Sequence, residues 1–111
     1  MDDSAERLWD EFHRVVNMSS RELSEWLRTR SAAPEDEEYP DQAGPHLGRR
    51  VLEILGKRKT DLLDDDLAVM RRVVDTVHGR RGDELEPTAG ETHWRHRLMS
   101  IGHDPLKPPA S

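Results

Sequence analysis

Apolar residues recur along this chain at helical spacing, and nowhere in the strict alternation of a half-buried strand. The strongest pattern lies between Leu47 and Arg81. Leu47, Val51, Ile54 and Leu55 share one side of a helical wheel, with Arg49, Arg50 and Glu53 on the other. Gly56 stands where a left-handed residue commonly ends a helix. A longer helix is predicted from Asp64 to Arg81, because Leu67, Val69, Met70, Val73, Val74 and Val77 fall within about 160° of arc, opposite Arg71, Arg72, Asp75 and Thr76. Asp64, Asp65 and Asp66 in its first turn suit the positive end of the helix dipole. As metal ligands they would point along diverging faces.

Upstream, Asp2, Asp3 and Ser4 offer caps for a helix beginning near Ala5, whose inner face is Leu8, Trp9, Phe12, Val15 and Val16. Ser19 with Glu22 three residues later forms a capping box, and Met18 can staple onto Leu23, so a second helix is predicted from there to about Arg30. It buries Leu23, Trp26 and Leu27. Residues 31–45 carry three prolines, a glycine and a run of acids with no repeating apolar position, which reads as a mobile acidic loop. Gly79 to Gly90 reads as a polar loop, and a last helix follows from about Glu91 to Ser100, with Trp94, Leu98 and Ile101 as its stripe and Gly102 as its stop. The expected architecture is a single all-α domain over residues 1–107, a compact bundle of four to five helices, with a flexible tail at 108–111. Its expected core is Leu8, Trp9, Phe12, Val16, Leu23, Leu27, Val51, Leu55, Met70, Val73, Val74, Val77, Trp94 and Leu98.

Composition narrows the function classes. At 111 residues, with 33% hydrophobic and 36% charged positions, the chain has room for one lean core. The absence of cysteine excludes disulfides, thiolate catalysis and Cys-based zinc fingers. No apolar run approaches the roughly 20 residues of a membrane span, and the N-terminus is acidic where a signal peptide is basic, so a cytoplasmic location is expected. The formal net charge is −6, yet it is unevenly distributed: Leu47 to Leu63 holds five basic residues against two acidic, whereas Pro34 to Asp41 holds five acidic and none basic.

Candidate chemistry is concentrated in the connection between the two central helices. Lys57, Arg58 and Lys59 can neutralise backbone phosphates, with Thr60 and exposed amides adding hydrogen bonds and Arg49 and Arg50 extending the footprint. The competing reading is a solvated connection whose charges offset nearby aspartates. The gap from Gly56 to Leu63, about eight residues, is too long for a helix-turn-helix. His93, His96 and His103 form the tightest histidine cluster, short of a convergent metal set, and surface histidines are expected. Neither a nucleophile with a base nor a glycine-rich phosphate loop is evident, so no catalysis, metal or cofactor is expected.

Several blocks carry a family resemblance: Trp9 to Phe12 with Asn17-Met18-Ser19, Gly48 through Leu62, Met70 to Val74 with Val77-His78, and Trp94-Arg95 through Leu98-Met99 to Gly102-His103-Asp104-Pro105-Leu106-Lys107. They resemble the bacterial family catalogued as domain of unknown function 3140. Members are commonly labelled DNA-binding proteins, so the resemblance implies DNA as a partner without implying a mode of binding. A looser resemblance, Glu22-Leu23 with Leu27-Arg28 followed by Gly48-Arg49-Arg50 and Leu52 to Leu55, is to the helix-loop-helix spacing of the SAP module. This looser resemblance implies that Arg49, Arg50 and Lys57 face phosphates, in agreement with the charge argument. The resulting expectation is a non-catalytic DNA-binding protein acting through Arg49, Arg50, Lys57, Arg58, Lys59 and Thr60. The alternative is a protein-interaction module without a nucleic-acid role, a homodimer included, since the arc of the long helix is wide enough for a core and a second chain.

Overall fold

The structure, a computed structural model, describes residues 3–29, 45–82 and 85–110. Within them the chain forms five α-helices: α1 (Asp3–Val15), α2 (Ser20–Leu27), α3 (Pro45–Leu55), α4 (Asp64–Arg81) and α5 (Thr92–Met99). A single 3-10 turn, Lys59–Asp61, lies between α3 and α4. The acidic loop expected at 31–45 lies outside the described residues except for Pro45, which opens α3. No helix among the described residues is long and apolar enough to cross a membrane.

Local chemistry sets the helix ends. At α2 both halves of the capping box form: Ser19 Oγ accepts from the Glu22 N–H at 3.1 Å, and Glu22 Oε1 accepts from the Ser19 N–H at 2.8 Å. At α4 only one half can exist, because Leu63 has no side-chain acceptor. The Asp66 carboxylate reaches back to the Leu63 N–H at 2.9 Å. Gly56 does not take the left-handed conformation expected of it; α3 instead tightens, with the Gly56 N–H on Glu53 O and the Lys57 N–H on Ile54 O. Positive φ occurs at Gly82 after α4 and at Gly102 after α5, where the chain turns sharply.

The longest helix, α4, lies along α1 and α3, and α2 packs on α3. Phe12, Val16, Leu23, Val51, Met70, Val73, Val77 and Leu98 are buried as expected, whereas Leu8, Trp9, Leu27, Leu55, Val74 and Trp94 are half-buried around them. Ile54, Leu85 and Ile101 complete the centre. Gly48 lets α3 approach the end of α5: a Cβ there would overlap the Ser100 carbonyl oxygen and come within 2.9 Å of a Leu27 methyl.

The C-terminal segment, where a tail is expected at 108–111, makes hydrogen bonds to α1 and the turn after it as far as Ala110. Asn17 Nδ2 donates to the carbonyls of Asp104 (2.9 Å), Lys107 (3.3 Å) and Pro108 (3.2 Å), and its Oδ1 accepts from the Asp104 N–H at 2.7 Å. The Ala110 N–H bonds Arg14 O at 3.0 Å. Backbone groups that solvent was expected to satisfy are thus satisfied by α1 and the turn after it.

Candidate nucleic-acid interface

The six residues expected to meet phosphate lie on α3 and the connection that follows it. They differ sharply in what they already touch. Asp66, 1% exposed in the first turn of α4, receives Arg50 Nη2 at 3.2 Å and Lys57 Nζ at 2.6 Å. Arg50 also pairs with Glu53 on its own helix. Burial pushes the Asp66 carboxyl up, but hydrogen bonds from Lys57 and the Leu63 N–H, with the charges of Lys57 and Arg50, outweigh it and hold the group below its usual range. Asp66 therefore remains ionised, and it ties the middle of α3 and the connection after it to the first turn of α4.

The other four stand further out. Arg58, with 83% of its side chain exposed, pairs with Asp61 at 2.9 Å across the 3-10 turn. Lys59 reaches Glu6 of α1 at 3.7 Å, with its ammonium 6.0 Å from the centre of the Trp9 ring. Thr60 is exposed on the turn, and Arg49 is exposed on α3 with no ion pair among the described residues. Asp66 gathers Arg50 and Lys57, whereas Arg58 and Lys59 are separately and superficially paired. Beside them an open depression of about 520 Å³ is lined by Arg50, Lys57, Leu63, Asp65, Asp66 and Val69.

By sequence, Asp66 is one of three dipole-favoured acids. That reading holds for Asp64 and Asp65, which are exposed, but Asp66 occupies the third helical position, from which a carboxylate turns back toward the chain entering the helix. The position was the available signal.

The histidines depart from expectation as well. His103 is fully buried rather than on the surface. Its Nδ1 donates to Val15 O at 2.6 Å, so Nε2 accepts from Arg81 Nη1 at 2.9 Å. Burial lowers its pKa, as do the Arg81 and His78 charges, against the opposing effects of the Val15 hydrogen bond and Asp104. His96 packs on Trp26, ring centres 4.8 Å apart. Among the described residues no group of three or more His, Asp or Glu side chains converges as a metal set. Asp104 beside His103 meets Arg95 through both carboxylate oxygens at 3.3 Å. Burial pushes Asp104 up, but Arg95, the Leu106 N–H and Lys107 bring it below its usual range.

Residues 11–99 match the model of the family described as Protein of unknown function (DUF3140), and the chain belongs to that family. Neither the curated proteins nor the solved structures contain a match.

Proposed function

We propose that this member of the DUF3140 family is a non-catalytic DNA-binding protein whose α3–α4 connection contacts backbone phosphates. Arg49, Arg58, Lys59 and the Thr60 hydroxyl make the contacts. Arg50 and Lys57 position the connection through Asp66. The supporting observation is this division of labour: a buried carboxylate fixes the connection from beneath, and Arg58 projects from it almost fully exposed. Exposed ion pairs such as Arg58–Asp61 and Lys59–Glu6 contribute about 0–1 kcal/mol each, so a phosphate displaces them at little cost. The Asp66 contacts are far harder to exchange, because displacing them leaves a buried carboxylate without its partners.

The same geometry limits affinity. Asp64 and Asp65 are exposed at the edge of the connection, and the whole chain carries −6. Binding is therefore weak, salt-sensitive and indifferent to base sequence, with about three phosphate contacts and a slope of log affinity on log salt near −2.7. Anisotropy of a labelled random duplex is the test, comparing the native protein with an Arg49→Glu/Arg58→Glu/Lys59→Glu variant that leaves Asp66 and its partners intact. Loss of binding with unchanged circular dichroism supports the reading. Equal binding by both proteins, or by neither at about 20 mM salt, overturns it.

A second reading, a protein-interaction surface, draws support from Leu63. This residue is 64% exposed and lines the open depression together with Lys57, Asp65 and Val69. A single leucine is a small patch, and scattered surface leucines are ordinary. Sedimentation of the native protein and of Leu63→Ser over a concentration series separates the two readings: a mass that rises with concentration only in the native protein favours association.

A further inference from the structure

Half-buried cations in this molecule generally face a carboxylate. Arg50 and Lys57 meet Asp66, Arg95 meets Asp104, Arg14 meets Glu11, and Lys107 meets Glu22. Among the described residues, the far end of α4 departs from that habit. There an open cleft of about 250 Å³ is lined by Arg80, Arg81, Glu86, Thr88 and Trp94.

Two arginines enter this cleft in different conditions. Arg81 is committed to the fold: it donates to His103 Nε2 (2.9 Å), to the Glu86 carbonyl and to Thr88 Oγ1 (2.9 Å). Arg80, half-buried beside it, makes no hydrogen bond or ion pair with any described residue, and none of those residues engages its five N–H donors. Burial lowers its pKa, as does the guanidinium of Arg97 on α5, which places a like charge nearby. The negative end of the α4 dipole accounts for basic residues here, but it is equivalent to roughly half a charge and does not balance several guanidiniums. Glu86 meets Arg81 through its backbone, while its side chain is exposed and forms no ion pair among the described residues.

We propose that this cleft is an anion site for a phosphate monoester of mononucleotide size, with the phosphate held by Arg80 and the ring of the ester lying against the Trp94 indole. Planar guanidinium donors match phosphate oxygens two at a time, and an indole face is a stacking surface for a heteroaromatic ring. Gly90 sets the indole's position, since a Cβ there would overlap the ring. The site is separate from the α3–α4 connection and does not depend on DNA binding there.

Isothermal titration calorimetry with adenosine 5′-monophosphate, adenosine and inorganic phosphate tests the assignment. The monophosphate is expected to bind at low ionic strength, with adenosine and inorganic phosphate each at least about tenfold weaker, because each offers only one of the two contacts. Arg80→Gln is expected to weaken the monophosphate at least about tenfold without moving the thermal midpoint. The Arg49→Glu/Arg58→Glu/Lys59→Glu variant is expected to bind it like the native protein. No heat at millimolar monophosphate overturns the proposal, as does unchanged affinity in Arg80→Gln. Inorganic phosphate binding as tightly as the nucleotide removes Trp94 from the site and overturns the assignment of ligand class.

Discussion

Two polar networks hold this fold, and they are built on opposite plans. The Asp66 network joins Arg50, Lys57 and the Leu63 N–H, partners within 16 residues of it, and both cations remain partly in water. The Asn17 network joins the turn after α1 to the carbonyls of Asp104, Lys107 and Pro108, across 87 to 91 residues. In the first, the partners are mainly cations that lie partly in water while the carboxylate they meet is buried. In the second, they are largely backbone groups, with Asn17 and Asp104 themselves buried. A network of the first kind can position a binding surface as well as hold the fold; one of the second kind closes the structure.

Substitutions that act on one network and spare the other sharpen this contrast. The largest effect is expected from Asn17→Ala, which leaves the buried Asp104 N–H without its acceptor and removes a donor shared by three carbonyls; a loss of about 3 kcal/mol in urea unfolding is expected, with DNA binding of the folded fraction unaltered. Asp66→Ala should cost less, about 2 kcal/mol, because Arg50 and Lys57 retain access to water, but it should change DNA binding as well as stability. A loss of binding after Asn17→Ala at full folding would erase the distinction.

Acid separates the Asp66 network from the C-terminal closure in which His103 is buried. His103 is held neutral in the folded state, its pKa lowered from 6.5, so the unfolded chain takes up the proton first. Stability is then complete above about pH 6.5 and falls as pH drops through that value toward the folded pKa. Asp66 is also lowered, from 3.8, so its contribution is present above that value and lost only as pH falls through its folded pKa. Urea midpoints between pH 7 and 5 should decline in the native protein and flatten in His103→Gln, with Asp66→Ala retaining the native slope. The smallest effect belongs to Leu63→Ser: its exposed side chain should leave stability within about 0.5 kcal/mol of native, measured by thermal melting.

The helical architecture was legible because its signals are local. Ser19 and Glu22 declare the start of α2 within four residues, and the arc from Leu67 to Val77 declares the buried face of α4. The connection was legible as a cluster of cations, but not in its sorting into held and exposed residues, since that depends on how Asp66 is buried when α4 packs against α1 and α3. The C-terminal closure left no periodic trace. Asn17 and the Gly102-to-Lys107 stretch both stand among the blocks that resemble the family, yet nothing local says that one binds the other. Leu85 was lost for a related reason: a lone leucine in a polar segment carries no period, though it is 2% exposed in the fold.

The salt dependence of duplex binding, measured for the native protein and for Asp66→Asn, tests the division between positioning and contacting cations most directly. Native binding should follow about three phosphate contacts, a slope near −2.7 in log affinity against log salt. Removing the Asp66 charge frees Arg50 and Lys57, and the folded variant should bind more tightly with a steeper slope, near −4.5 for about five contacts. Identical slopes in the two proteins, or no binding by either at low salt, would contradict the assignment of the α3–α4 connection as a phosphate-binding surface.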